Sequence, residues 1–122
     1  MNQKVTSYKD LIFWKRSKEV SLLVVILTRK LPNERSAWVI IDQIIRSAFS
    51  VGANIAEGFG KYKGKEYSRF LQIALGSARE TEYWLELLKD IYPKFADEID
   101  KALSLNLETI KMLVVTLKKL RQ

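Results

Sequence analysis

The sequence predicts an all-α protein, an antiparallel up-down-up-down four-helix bundle. Four segments repeat their apolar side chains with helical spacing, and proline or glycine interrupts the pattern between them. The chain has 122 residues, of which 48% are hydrophobic and 29% charged. That is enough apolar material for one core and too short a chain for two. Since helices of about 20 to 27 residues joined by short loops pack side by side in alternating directions, we expect one domain over residues 1–122.

The first helix is expected from about Ser7, a residue suited to cap a helix, to Lys30. The apolar run from Leu22 to Leu27 winds around this helix, so one buried face cannot absorb all of it. Either the helix is central, or a second copy of the chain covers its outer side. The candidate interface residues are Leu22, Leu23, Val25 and Ile26, and the expected inner face is Leu11, Trp14, Ser17, Ser21, Val24, Leu27 and Thr28.

The second helix is expected to begin near Pro32 and to continue to Glu57, with Gly58 and Gly60 supplying the left-handed conformation that stops it. A polar stripe runs along one side of this helix. It is either a solvated surface or a seam that faces another helix and satisfies its charged members. The stripe is Gln43, Arg46, Ser50, Asn54 and Glu57, and the expected apolar side is Trp38, Ile41, Ile44, Ile45, Ala48, Val51, Gly52, Ile55 and Ala56.

The third and fourth helices have the clearest periodicity. The third runs from about Lys65 to Ile91, and Gly76 within it suggests close approach to Gly52 on the second helix. The fourth begins at a cap, Asp97, and reaches Leu120. The expected inner residues are Tyr67, Phe70, Leu71, Ala74, Ala78, Thr81, Trp84, Leu85 and Leu88 in the third helix and Ile99, Leu103, Leu107, Ile110, Val114 and Leu117 in the fourth.

The composition excludes most enzyme classes, because the chain contains no cysteine and no histidine. Disulfides, thiolate zinc sites and Cys or His nucleophiles are therefore ruled out. Acidic residues cluster around Glu82 and around Asp97, but neither cluster has the pattern of a carboxylate metal site. We expect no catalytic activity, no metal and no cofactor.

The formal net charge of +7 lies entirely in the first half of the chain. Residues 1–65 hold 12 Lys/Arg and 5 Asp/Glu, whereas residues 66–122 hold 9 of each. One-sided positive charge suits RNA or DNA, because release of counterions drives such binding, although basic proteins that bind neither are common. The polar start of the chain and its short apolar runs predict a cytoplasmic protein with no membrane partner.

The connection from Gly58 to Lys65 contains three glycines and three lysines. It lacks the spacing of a Walker phosphate-binding loop and follows no strand, so it predicts no nucleotide site. A cationic turn with aromatic rings can still contact nucleic acid, and an ordinary solvated loop is the alternative. The candidate nucleic-acid-binding residues are Lys15, Lys18, Lys61, Tyr62, Lys63 and Lys65.

Two blocks of sequence are specific enough to indicate a family, Asn54–Lys61 (NIAEGFGK) and Arg69–Ser77 (RFLQIALGS). With them, the chain resembles the four-helix bundle family encoded within intervening sequences of bacterial 23S ribosomal RNA genes. That family is similar to the accessory protein of diversity-generating retroelements, a basic pentameric barrel that works with reverse transcriptase and RNA. The match spans about residues 8–120, and its other matching positions are Trp14, Leu31, Pro32, Asp42, Gln43, Arg46 and Glu80.

The resemblance implies a small homo-oligomer, a pentamer, that binds nucleic acid and has no catalytic activity. We therefore expect an oligomeric scaffold that binds RNA or DNA without strong sequence readout; the alternative is a homo-oligomeric module that docks a partner such as a nucleic-acid enzyme. The chain departs from the family at Val25, often aromatic there, and at Lys61, where arginine is frequent. The polar positions expected to form a buried or interfacial network are Gln43, Arg46, Asn54, Glu57, Arg69 and Glu80.

Overall fold

The computed structural model describes residues 4–61 and 64–121. In this part of the chain, the helices are α1 (Ile12–Thr28), α2 (Arg35–Phe59), α3 (Lys65–Ile91) and α4 (Ala96–Leu120), with 3-10 turns at Tyr8–Asp10 and Pro93–Phe95. Helix α1 packs against α2 and α4, and α3 packs against the same two helices. The predicted all-α, up-down-up-down four-helix bundle is confirmed. Since α1 has two neighbours like every other helix, it is not central.

A capping box precedes α1. The backbone N–H groups of Thr6 and Ser7 each donate to Asp10 Oδ2 at 3.0 Å, and the backbone N–H of Lys9 donates to Ser7 Oγ at 3.2 Å. The predicted cap at Ser7 is confirmed, although the turn that it caps is a 3-10 turn that ends before α1 begins. This box fixes the conformation of residues 6–10 just before α1.

Replacing Asp10 by Asn should lower the melting temperature at neutral pH. Hydrogen bonds from the backbone of Thr6 and then of Ser7 lower the pKa of Asp10 from its ordinary value of 3.8. Folding therefore favours the charged carboxylate, so the stabilisation is present above about pH 4 and is lost as the pH falls through the lowered pKa. Thermal unfolding of both proteins from pH 7 to pH 2 checks this. Equal melting temperatures at pH 7, or a gap that persists at the acid end, would contradict it.

The inner face of α3 is predicted most accurately. Its buried residues include Tyr67, Leu71 and Leu85, as expected, while Phe70 and Trp84 are half-buried beside them. In α1 the buried stripe is rotated from the expected one. Phe13 and Val20 join the core, and Leu11, Trp14 and Ser21 are only half-buried.

Corrections are larger in α2 and α4. Trp38 is 54% exposed, because Ala37 and Ile40 face the core at that level instead. In α4 the exposed Leu107 lies outside the core, and the buried stripe passes through Asn106. The Asn106 amide donates to the carbonyl of Ala78 on α3 at 2.8 Å, which makes burial of this polar group tolerable. Asp97 lies in the first turn of α4, not at its cap, which is Phe95.

The glycines act differently from the expectation. A Cβ on Gly76 would meet no described residue within 4 Å, so Gly76 marks no close approach within residues 4–61 and 64–121. The close contact between α2 and α3 is at Gly58, where a Cβ would lie 2.7 Å from Phe70 Cβ. Gly52 faces α1 rather than α3. Among the described glycines, only Gly64, at φ 82°, has a left-handed backbone, and it precedes α3.

Helix α2 is the only described helix whose length and hydropathy, 1.2 over 18 residues, would allow it to cross a membrane. Its buried stripe packs against α1 and α3 in the bundle. We therefore assign α2 to the bundle and not to a membrane span.

Candidate nucleic-acid interface

Three parts of the chain meet at one end of the bundle. Val5 and Leu11 from the start of the chain line a groove with Phe59 and Tyr67. Leu120, the last residue of α4, lines a second groove with residues at the start of α3. We call this region the cationic end; it comprises residues 4–11, 57–61, 64–69 and 117–121.

Positive charge is concentrated at the cationic end. Its described residues include eight Lys/Arg and three Asp/Glu, whereas the opposite end, residues 28–36 and 88–100, has five of each. Tyr67 adds no charge, because burial raises the pKa of its hydroxyl above the ordinary 10.0. Positive charge is therefore distributed unevenly along the axis of the bundle. Counting charges in the two halves of the sequence does not show this, because each end of the bundle contains residues from both halves.

Ion pairs also distinguish the two ends. The opposite end holds the ion pair of Lys89 with Asp100, and the hydrogen bond that Lys89 donates to Asp100 raises the pKa of Lys89 above its ordinary value. Among the described residues of the cationic end, one ion pair occurs, between Arg69 and Glu66, and it is long and exposed. The N···O distances are 2.9 Å for Lys30 to Glu98, 2.7 Å for Lys89 to Asp100 and 3.4 Å for Arg69 to Glu66.

The predicted nucleic-acid-binding residues fall into two groups. Lys61 and Lys65 are exposed at the cationic end, and Lys61 Nζ lies 5.1 Å from the centre of the Phe70 ring. Lys15 and Lys18 are exposed on α1, on the turns next to this end. The remaining two, Tyr62 and Lys63, lie outside the described residues.

Several cations of this site are not among the residues predicted from the sequence. Lys118, Lys119 and Arg121 follow one another at the end of α4, and all three are exposed. Their charge was hidden because acidic residues at the start of the same helix, among them Asp97 and Glu98, balance it in the sum. The sequence signal for these cations is the run of basic residues in the last turn of α4, since the helix dipole favours positive charge at the carboxyl end of a helix. Lys4 and Lys9 were missed with them.

The six predicted polar-network residues do not bond to one another within the described chain. Asn54 donates to the Ser50 carbonyl at 2.8 Å, and Ser50 bonds to Ser77 on α3 at 2.9 Å. Arg69 pairs with Glu66, and Glu80 accepts from Trp84 Nε1 at 3.0 Å. Gln43, Arg46 and Glu57 make no hydrogen bond or ion pair in residues 4–61 and 64–121. Four of the six are exposed, namely Arg46, Glu57, Arg69 and Glu80, while Gln43 and Asn54 are half-buried.

A buried network inside one subunit is therefore wrong, and a network between copies stays a prediction. The buried polar contact between α2 and α3 is a different one, Ser47 to Thr81 at 2.9 Å. Both side chains lie on the core stripe of their helices. Because a buried serine or threonine differs little from alanine in an apolar pattern, the periodicity did not identify this pair.

The four candidate interface residues on α1 divide into two pairs. Leu22 is 55% and Ile26 48% exposed, one turn apart, and Leu23 and Val25 are half-buried. Val24, between them, is fully buried. Apolar surface is thus left uncovered by the chain itself, and we call Leu22 and Ile26 the α1 patch.

Comparisons with known proteins agree on the fold. Residues 9–115 match a family described as 23S rRNA-intervening sequence protein. A crystal structure of a protein of unknown function from the S23 ribosomal protein family of Bacteroides thetaiotaomicron superimposes with a TM-score of 0.79 at 34% identity, over 88% of this chain and 99% of that one. No curated protein matches.

Proposed function

Since this chain belongs to the 23S rRNA-intervening sequence protein family, as its sequence blocks predicted, we propose that it is a non-enzymatic, homo-oligomeric scaffold of the cytoplasm that binds RNA or DNA through its cationic end. The observation that carries the proposal is the segregation of charge, eight cations against three carboxylates at one end of the bundle. Lysines without carboxylate partners are free to contact phosphates, and such contacts release counterions.

Weak sequence readout follows from the chemistry of these contacts. Phosphate contacts position a nucleic acid but carry no direct information about its sequence. The cations of the cationic end are mostly lysines, which meet phosphates as point charges and lack the bidentate geometry of arginine. Binding through this end should depend on the number of phosphates and not on the order of the bases.

Self-association would multiply the number of phosphate contacts. The α1 patch exposes apolar surface that a second copy can cover, and it lies on the side of the bundle, not at either end. Copies that associate side by side around an axis parallel to the bundle place their cationic ends on one rim. Each copy then adds weak contacts to the same nucleic acid, which raises the overall affinity.

A second candidate function, docking of a partner protein, is favoured by an apolar groove. Its volume is about 470 Å³, and it lies between the start of the chain and α4. Exposed Ile12 and Val115 line it, together with Phe13 and Met112. In this alternative the charge serves solubility and steering.

Titration of arbitrary single-stranded RNA and DNA at 50 and 200 mM salt discriminates the two functions. The scaffold should lose about 100-fold to 1,000-fold in affinity over this range, because several phosphate contacts are broken. A second sequence of equal length is the control and should give the same slope. Absence of binding at 50 mM salt would contradict the nucleic-acid function and favour protein docking.

A further inference from the structure

Trp14 lines two grooves on the side of the bundle near the cationic end. The first, of about 330 Å³, runs between α1 and α2; Trp14, Tyr8 and Phe49 supply its aromatic side chains, and small residues such as Gly52 line the rest. The second groove shares Trp14 and Lys18 with the first. It is lined also by Lys9, Lys15, Leu22 and Glu19, and Glu19 pairs with Arg16 at 2.9 Å. Aromatic rings and lysines are therefore interleaved on one surface, which we call the Trp14 groove.

The indole is held in a fixed orientation. Tyr8 packs edge-on against it, with ring centres 5.1 Å apart and planes at 71°, and Lys18 Nζ lies 5.7 Å from its centre. A Cβ on Gly52 would lie 3.1 Å from Ser17 Oγ and 3.5 Å from Trp14 Nε1, so alanine at this position would crowd Ser17 and would make only an ordinary van der Waals contact with the indole. The Trp14 indole N–H has no hydrogen-bond acceptor in residues 4–61 and 64–121.

Phe49 contributes an exposed ring to the same groove. Its side chain is 48% exposed, so the bundle core does not account for an aromatic residue at this position. Aromatic rings in a cationic groove are the usual means of binding single strands, because every base has a face that can stack. The groove carries its cations on α1 and on the turn before it, close to the cationic end.

We propose that the Trp14 groove binds an unpaired base of single-stranded RNA or DNA. The base stacks on the exposed ring of Phe49 beside Trp14, and Lys9, Lys15 and Lys18 contact the phosphates on either side of it. The proposal rests on the proposed nucleic-acid function and adds a preference for single strands with bases over bare phosphate chains. Because stacking tolerates any base, it remains consistent with weak sequence readout.

The test compares two oligonucleotides of about 12 nucleotides, an oligothymidylate and an abasic chain with the same phosphates. The wild-type protein should bind the oligothymidylate about tenfold more tightly. Phe49→Ala should lose that preference and keep its affinity for the abasic chain, and Phe49→Leu, which retains most of the volume, should do the same. Tyr83→Ala is the matched control, since Tyr83 is 58% exposed on α3, and it should behave like wild type.

A fluorescence reporter locates the base. In a protein with Trp38→Phe and Trp84→Phe, Trp14 is the one tryptophan left, because the chain has three. Its emission should be quenched by the oligothymidylate and not by the abasic chain. Quenching by both to the same extent would overturn the placement of the base beside Trp14.

The remaining outcomes separate the two proposals. Equal affinity of the wild type for both oligonucleotides overturns the base-binding groove and leaves the electrostatic function standing. Absence of binding to either at 50 mM salt overturns both. A fall in particle mass by light scattering in Phe49→Ala would assign the groove to the contact between copies of this chain, and this too overturns base binding.

Discussion

Reversing three charges at the cationic end, Lys61→Glu, Lys65→Glu and Lys119→Glu, should weaken binding to nucleic acid about 100-fold or more at 100 mM salt. The cationic end would change from eight cations and three carboxylates to five and six, that is, from +5 to −1. All three side chains are exposed and make no ion pair with a described residue, so the bundle should keep its fold. Fluorescence anisotropy with a labelled single strand measures the affinity, and circular dichroism checks the helices.

The matched control makes the same change in charge elsewhere. Arg35, Lys94 and Lys101 are exposed at or next to the opposite end of the bundle. Replacing them by glutamate gives the same net charge for the whole molecule, +1 in place of +7. We expect this variant to lose less than about tenfold, because long-range repulsion is screened within about 10 Å at 0.1 M salt. Equal losses in the two variants would contradict a localised site and leave only a dependence on net charge.

The fold was predictable because helical periodicity and breakers are local signals. Residues 65–91 were assigned to one helix with the boundaries that the structure has, since a long amphipathic pattern ends there at Tyr92-Pro93. Faces were harder to assign than boundaries. Trp38 was placed inside because it is large and apolar, yet its indole N–H donates to Asn33 outside the core at 2.6 Å. Small residues such as Ala37 fill that position, and hydrophobicity alone ranks them below tryptophan.

The candidate site was only partly predictable, because it is assembled from distant parts of the chain. Lys61 and Lys65 were found since they lie in one loop with glycines. Lys119 was not, because only the antiparallel packing of α4 against α3 brings it to the same end. The Trp14 groove needs the same kind of information, since Phe49 reaches Trp14 from a different helix.

Placing glutamates on the α1 patch, Leu22→Glu with Ile26→Glu, should reduce the particle from an oligomer to a single chain of 14.2 kDa. The two side chains are about half exposed, and their neighbour Val24 supplies the core contact, so the subunit should remain folded. Two buried charges at a contact between copies cost far more than the apolar contact gains. Light scattering at micromolar concentration measures the mass.

The pair Leu107→Glu with Val115→Glu is the control, because both residues are exposed on α4 and the same number of apolar side chains becomes acidic. Its mass should equal that of the wild type. If this pair dissociates the particle while the α1 pair does not, the contact lies on α4, and the uncovered surface of α1 has another use.

If the wild type itself has the mass of one chain, the apolar run in α1 serves no contact between copies, and the cationic end must bind nucleic acid as a single site. The salt dependence of binding then distinguishes an oligomer from a single chain. The slope of log affinity against log salt concentration gives the number of phosphates that one particle contacts. A many-copy rim engages more phosphates, and should give a steeper slope, than one bundle end.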